Sequence, residues 1–290
     1  MQQIVHDPDR MRALVLEARA AGRSVGFVPT MGSLHAGHAS LVTRAARECD
    51  AVAVSIFVNP TQFGPQEDFA RYPRSLAADM ALLEPHGVAW IYAPEVATVY
   101  PAGDATRIVV AGPAVRFEGE RRPGHFDGVA TVVCKLFLAV PASVAYFGAK
   151  DWQQTLVVKR MTRDLGLPIE IVVCPIIREP DGLAMSSRNA SLSAADRRQA
   201  VALFDGLCRA EELWSAGARV AMIEQTLRER MTARGVDVDY AAVVDPESLA
   251  PLSKDATRAI AIVAGRLGST WLIDNCELPA RSLHGRGDAR

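Results

Sequence analysis

Short runs that are apolar at nearly every position, each ending in a turn-forming residue, most narrow how this chain can fold. Val25-Gly26-Phe27-Val28 runs into Pro29, Ala51 to Val58 runs into Asn59-Pro60, and Val144-Ala145-Tyr146-Phe147 runs into Gly148. A strand with one wet face alternates apolar and polar residues, whereas a strand covered on both faces does not. Residues 88–92 and 169–174 read as two further strands of this kind. Helical patterns lie between them. Residues 37–49 place Leu41, Val42, Ala45, Ala46 and Cys49 on one face, Ser75 can N-cap a helix to about Glu84, and 127–139 and 151–165 are also helical. The expected fold is α/β, a Rossmann-like doubly wound parallel sheet over residues 1–175. Such sheets bind ligands beyond the carboxyl ends of their strands, and the segments 31–38, 59–62 and 148–154 all follow strands at that end.

After Pro175 the pattern changes. Helical segments 193–215 (with Ser193 as N-cap) and 219–234 precede strand candidates 236–244, 257–264 and 269–275. A helix pair followed by consecutive strands reads as a smaller α+β C-terminal domain, residues 176–290, with a hinge near 175–190. The tail 281–290 is polar and expected to be disordered. With 49% hydrophobic residues in 290, real cores are within reach. A net charge of −1, with no basic block, speaks against a nucleic-acid surface. The longest apolar segment, Val129 to Val140, is interrupted by Lys135 and too short to span a bilayer, and the N-terminus carries no apolar signal core. Five scattered cysteines offer neither a disulfide framework nor a zinc site, which fits reduced, mostly buried thiols.

Met31-Gly32-Ser33-Leu34-His35-Ala36-Gly37-His38 sits where the first of these strands hands over to a helix. Glycines let backbone approach a triphosphate, helix-start N–H groups point at it, and imidazoles donate to phosphoryl oxygens as charge builds. This is the layout of the His-x-Gly-His motif of adenylate-forming nucleotidylyl transferases, although alone it also reads as a turn with two solvated histidines. Met185-Ser186-Ser187-Arg188, after the loop Arg178-Glu179-Pro180-Asp181-Gly182, is similar to the Lys-Met-Ser-Lys-Ser loop that closes over the triphosphate in that superfamily. Hydroxyls and a guanidinium fork suit phosphate oxygens, while the same residues alone make an ordinary cap or turn. The two motifs in this order favour the nucleotide reading.

Three more motifs narrow the choice: Phe57-Val58-Asn59-Pro60-Thr61-Gln62-Phe63-Gly64, Arg122-Pro123-Gly124-His125-Phe126-Asp127-Gly128-Val129, and Gly148-Ala149-Lys150-Asp151-Trp152-Gln153-Gln154. With all of these in order, the chain closely resembles the pantoate–β-alanine ligase family of coenzyme A biosynthesis from about Val25 to Asn189, and more weakly to about Asn275. The resemblance implies ATP-dependent condensation of (R)-pantoate with β-alanine to pantothenate, AMP and pyrophosphate, through a pantoyl adenylate. It implies ATP binding by Met31, Gly32, Ser33, Leu34, His35, Ala36, Gly37, His38, Gly148, Ala149, Lys150, Asp151, Ile177, Met185, Ser186, Ser187 and Arg188. Catalytic roles fall to His38, His35 and Lys150, and pantoate falls to Gln62 and Gln154, with Gln62 also placing β-alanine. Mg²⁺ on the β- and γ-phosphates and a cytoplasmic homodimer, without nucleic-acid or membrane partners, follow from the same resemblance.

Some readings stay open. Asn59 is equally an Asx-turn residue before Pro60 and a substrate contact; His125 reads first as a brace for the helix it begins, then as a phosphate contact. Glu118 to Arg122 reads as a solvated loop or as a flap. Ala149 replaces a glutamate usual in the family, and the acidic stretch associated with Mg²⁺ is reduced to Ala77-Ala78-Asp79, which points to contact through water. Adenylyltransferases acting on phosphate esters are generally shorter and lack the Gly-Ala-Lys-Asp and Gln154 set. Aminoacyl-tRNA synthetases share the motif pair, but they need a tRNA-binding part for which this chain has neither length nor charge. A non-catalytic ATP sensor would have no use for the His35/His38 pair.

Overall fold

The computed structural model describes residues 2–64, 69, 72–253 and 255–280, so the expected disorder of the tail 281–290 and part of the loop after Gly64 lie outside the described residues. The chain forms two compact units, Met1–Ile177 and Arg178–Arg290.

In the first unit, β1 (Gln3–Val5), β2 (Val25–Thr30), β3 (Ala51–Ile56), β4 (Trp90–Tyr92), β5 (Val144–Gly148) and β6 (Glu170–Cys174) form one sheet, ordered β1-β4-β3-β2-β5-β6, with every pairing parallel. The helices are α1 (Pro8–Ala20), α2 (Ala36–Glu48), α3 (Leu76–Leu83), the single turns α4 (Val96–Val99) and α5 (Glu118–Arg121), α6 (His125–Ala139) and α7 (Trp152–Asp164). The strands are apolar throughout because alternate residues enter different helix layers. Phe27, Ala51, Ala53, Ala145 and Phe147 pack with Met11 and Val15 of α1, with α6, and with Val157 and Met161 of α7. Val28, Val52, Val54, Ile91 and Tyr146 pack with Leu41, Val42 and Ala45 of α2 and Leu83 of α3. The sheet is thus doubly wound. The apolar segment Val129 to Val140 is the body of α6, and its residues are buried almost throughout.

The second unit holds α8 (Ala194–Gln199), α9 (Ala202–Ser215), α10 (Val220–Ala233) and an antiparallel sheet of β7 (Asp237–Val244), β8 (Ala259–Leu267) and β9 (Thr270–Leu278). Its own core joins Leu203, Leu207 and Trp214 of α9 to Ile223 and Leu227 of α10 and to Ala261 and Val263 of β8. Two details differ from the sequence reading. The helix expected over 193–215 is broken: Leu203 N–H bonds Ala200 C=O at 3.2 Å, a three-residue step that tightens the chain between α8 and α9. The pair β1 and α1, absent from that reading, forms because Asp7 caps Arg10 N–H at 2.7 Å while Pro8 starts the helix. Ser75 and Ser193 both cap as expected, bonding Ala78 N–H at 3.4 Å and Asp196 N–H at 3.1 Å.

Candidate active site

The strand order reverses between β2 and β5. From β2 the chain steps outward to β3 and then β4, whereas β5 returns to the other side of β2. These two strands pair over only two positions, Gly26 with Val144 and Phe27 with Ala145, so beyond them the sheet parts at its carboxyl end. The segment 31–38 leaves β2 and the segment 148–154 leaves β5, one on each side of that crevice.

The loop after β2 is built largely from its own residues. His35 is the N-cap of α2, its Nδ1 accepting Gly37 N–H at 3.1 Å, and His38 Nδ1 accepts His35 N–H at 3.3 Å, a reciprocal capping box made of two histidines. An imidazole that accepts at Nδ1 carries its proton on Nε2, so each neutral ring has one N–H left to donate. The rings lie 4.2 Å apart. Burial, then the neighbouring His35 and the Lys150 charge, push the His38 pKa down to about 3 against the opposing pull of Asp151. Burial and Lys150 lower His35 in the same sense. Both rings are therefore neutral hydrogen-bond donors near pH 7 in the nucleotide-free protein. The influence of Lys150 and Asp151 on both rings shows that the turn after β5 faces the histidine loop. Lys150 also lies 3.8 Å from Asp151.

One long-range side chain completes this loop. Asp79, on α3, is 3% exposed and accepts the N–H groups of Ser33 at 3.2 Å and Leu34 at 2.8 Å. Gly32 (φ +80°) and Ser33 (φ +52°) both take the left-handed conformation. A Cβ at position 32 would stand 2.9 Å from Asp79 Oδ2, so close approach as well as backbone conformation requires glycine here. The sequence treated Asp79 only as a remnant of a metal-binding stretch. Its oxygens instead face the loop backbone, and among the described residues no group of three His, Cys, Asp or Glu side chains could hold a metal ion. Only the short, polar position of an acid one turn into α3 hinted at this role.

The segment after β3 is built differently. Asn59 is 1% exposed and closes an Asx turn with Thr61 N–H at 3.3 Å. Its amide donates to Gln62 Oε1 at 3.0 Å and to Gly128 C=O at 3.1 Å. Gln62 Nε2 then points to Met31 Sδ at 3.0 Å, which joins this turn to the histidine loop. His125, the first residue of α6, faces Gln62 C=O through Nδ1 at 2.9 Å and Arg122 through Nε2 at 2.9 Å. A carbonyl only accepts and a guanidinium only donates, so His125 carries its proton on Nδ1. Gly128 completes the contact: a Cβ there would stand 2.4 Å from Thr61 C=O. The Arg122 to Val129 motif thus clamps the 59–62 turn against α6.

The remaining candidates are placed as follows. Ala149, Lys150 and Asp151 form a 3₁₀ turn, and Gln154 lies half-buried in the first turn of α7. Ile177 ends the first unit, just beyond β6. Met185, Ser186, Ser187 and Arg188 belong to the second unit, where Arg178 braces the preceding turn by binding Asp274 at 2.6 and 3.1 Å and Gly182 C=O at 3.0 Å. The reading of 118–122 as a solvated loop needs correction. Glu118 is 5% exposed, and Gln153 pins its stretch by accepting Glu118 N–H at 3.1 Å and donating to Pro113 and Arg116 carbonyls at 2.7 and 2.6 Å. All five cysteines are free thiols, of which Cys134 and Cys174 are buried and the other three partly so. No helix among the described residues is long and apolar enough to cross a membrane.

A doubly wound sheet with a histidine-capped helix and a lysine turn facing each other at its switch point defines a Rossmann-like nucleotide-binding enzyme. Comparison with known proteins gives the family: the pantoate-beta-alanine ligase profile matches residues 3–277. The pantothenate synthetase of Roseiflexus castenholzii is 52% identical over 277 residues, covering 93% of this chain and 100% of that one. That of Thermus thermophilus is 52% identical over 273 residues, covering 93% and 99%. A crystal structure of pantothenate synthetase from Thermus thermophilus matches with a TM-score of 0.91 at 49% identity, over 96% of this chain and 99% of that one. The crystal structure of the Francisella tularensis pantoate-beta-alanine ligase, complexed with beta-gamma ATP and beta-alanine, matches with a TM-score of 0.79 at 32% identity, over 95% and 97%. The chain belongs to the pantoate–β-alanine ligase family.

Proposed function

We propose that this chain makes pantothenate from (R)-pantoate, β-alanine and ATP by two successive displacements in the first unit's crevice. A pantoate carboxylate oxygen attacks the α-phosphorus, the bond from that phosphorus to the bridging oxygen breaks, and pyrophosphate leaves. The deprotonated amine of β-alanine then attacks the acyl carbon, AMP leaves on its phosphate oxygen, and the new amide nitrogen gives up its second proton. The first step moves no proton, so its catalysis is positioning and charge stabilisation. His35 and His38 supply Nε2–H donors to the phosphoryl oxygens, and Lys150 supplies the positive charge. The observation that carries this reading is the pair of half-buried imidazoles with Nδ1 already occupied, whose pKa values are lowered in part by the charge of Lys150 in the turn after β5.

ATP is assigned to residues 31–38, 148–151 and Ile177, with Met185 to Arg188 of the second unit offered on their motif alone. Pantoate is assigned to Gln62 and Gln154. Asn59, equally an Asx-turn residue and a substrate contact from the sequence, serves in this reading by holding Gln62, because both its amide hydrogens are already donated. Mg²⁺ enters with ATP as part of the substrate, since the oxygens of Asp79 are turned to the loop. A cytoplasmic homodimer is proposed from the family resemblance. The test is to incubate the protein with ATP, Mg²⁺, pantoate and β-alanine and identify the products. AMP, pyrophosphate and pantothenate are expected; ADP and phosphate would remove the adenylate mechanism.

A further inference from the structure

Gln62 can recognise a substrate through its oxygen or through its NH₂, and the two ends ask for opposite partners. Asn59 and Thr61 of the same turn, with Tyr100, Gly128 and Met31 from three other segments, bear on which end is presented. Asn59 Oδ1 accepts from Thr61 N–H at 3.3 Å, a group that can only donate, and from the hydroxyls of Thr61 at 3.0 Å and Tyr100 at 2.7 Å. Asn59 Nδ2 faces acceptors only, Gln62 Oε1 and Gly128 C=O. Turning the Asn59 amide over would set N–H against N–H and oxygen against oxygen in a site that is 1% exposed, so a single orientation survives. With Nδ2 donating, only the oxygen of Gln62 can face Asn59, and the Gln62 NH₂ must point away, toward Met31 of the nucleotide loop.

We propose that Tyr100 is a positioning residue for the ligase reaction: its hydroxyl holds the Asn59 amide that Thr61 N–H and Gly128 C=O orient, and so keeps the Gln62 NH₂ presented to an acceptor oxygen of the acid substrate. The inference rests on the assignment of Gln62 to pantoate. Tyr100 is itself held in place. It follows α4, whose Val99 C=O accepts from Lys135 Nζ at 2.8 Å, and Lys135 also pairs with Asp104. This explains the lysine in the apolar body of α6. Lys135 Nζ and Arg107 lie 4.8 and 5.9 Å from the centre of the Tyr100 ring, where cations are attracted to an aromatic face. Burial raises the phenol pKa, so the hydroxyl keeps its proton and remains a donor. The arrangement selects for a hydroxyl or carboxylate oxygen and against an ammonium, which separates the acid substrate from the amine of β-alanine at this side chain.

The test compares the wild type with Tyr100→Phe, which removes one hydroxyl and keeps the ring. The kcat/KM for pantoate is expected to fall about five- to twentyfold, with the KM for ATP within twofold. A structural role alone would not produce the second readout. Each analogue of pantoate lacking one hydroxyl is compared with pantoate in both proteins. For the analogue missing the oxygen that Gln62 contacts, the discrimination is expected to shrink at least threefold in Tyr100→Phe, because the NH₂ is no longer aimed. Asn59→Asp is the second variant; it replaces the donor that dictates the Gln62 orientation and is expected to lose pantoate use more strongly than Tyr100→Phe. Equal losses for ATP and pantoate, or unchanged discrimination for every analogue, would overturn the role of Tyr100. Failure of the wild type to consume pantoate would instead overturn the assignment of the pocket itself.

Discussion

Two loops leave neighbouring strands of the same sheet and reach the same crevice, yet they are held by different kinds of contact. The nucleotide loop after β2 is mainly self-contained: a histidine capping box closes over three residues, with Asp79 as its distant backbone anchor and Gln62 touching Met31. The substrate turn after β3 closes on itself through Asn59, Thr61 and Gln62 and is held in addition by several partners from elsewhere, Gly128 and His125 of α6 and Tyr100. The difference matches the task. A triphosphate presents similar oxygens in every nucleotide, and a helix start with a few N–H donors meets them with local geometry. In the proposed function a small hydroxy acid is told from its competitors by which end of the Gln62 amide it meets, and contacts from other segments take part in setting that orientation.

The comparison breaks hardest at the histidines. In His38→Ala, adenylate formation in a single turnover is expected to slow by on the order of 10²–10³, the loss associated with one preorganised donor. The fold should survive, since the lost cap contact is worth about 1 kcal/mol. A near-wild-type single-turnover rate would take His38 out of the chemistry.

Asp79→Asn tests whether the nucleotide loop depends on its distant anchor. An amide keeps one acceptor and turns NH₂ against a loop N–H, at a cost of about 2–3 kcal/mol in a buried site. The KM for ATP is expected to rise tenfold or more, with the pantoate KM at saturating ATP within twofold. If both rise together, Asp79 supports the unit as a whole and not this loop.

Gly128→Ala makes the matching test on the substrate turn. The new Cβ meets Thr61 C=O, so the turn must shift away from α6, an overpacking worth about 1–3 kcal/mol. Here the pantoate kcat/KM is expected to fall several-fold and the ATP affinity by calorimetry to hold. Unchanged pantoate kinetics would show that the turn does not need α6.

The smallest effect concerns protons. His38 in the folded, nucleotide-free protein resists protonation until about pH 3, whereas the unfolded chain takes up that proton near the ordinary value of 6.5. The unfolded state therefore binds more protons across this window, and stability falls as pH drops through it. His35 acts in the same direction. Carboxylates with lowered pKa, such as Asp104 and Asp181, stay charged in both states above about pH 5 and contribute only below it. Urea unfolding at pH 7.5 and 5.5 should show a loss on the order of 1 kcal/mol from His38, reduced in His38→Gln. An identical pH slope in that variant would mean the ring is already protonated in the folded protein.

What the chain states locally, it states legibly. Largely apolar runs announced β2, β3, β5 and β6 and the doubly wound sheet, because a strand covered on both faces favours apolar residues at consecutive positions. Ser75 and Ser193 marked helix starts, and the His-x-Gly-His spacing carried its own capping box. The three-residue β1, the buried Glu118, the loop-holding use of Asp79 and the orientation of Asn59 were not legible in this way. Each depends on partners 35 to 87 residues away, such as Glu118 with Gln153, Asp79 with Leu34, Asn59 with Tyr100 and Gln3 with Trp90. Periodicity and capping reach across one or two turns of chain. Which strands become neighbours, and so which loops meet, is settled only when the sheet assembles. The sequence by itself therefore determined the layers and the motifs that leave the carboxyl ends of β2, β3 and β5, and the tertiary structure decided which way their side chains point.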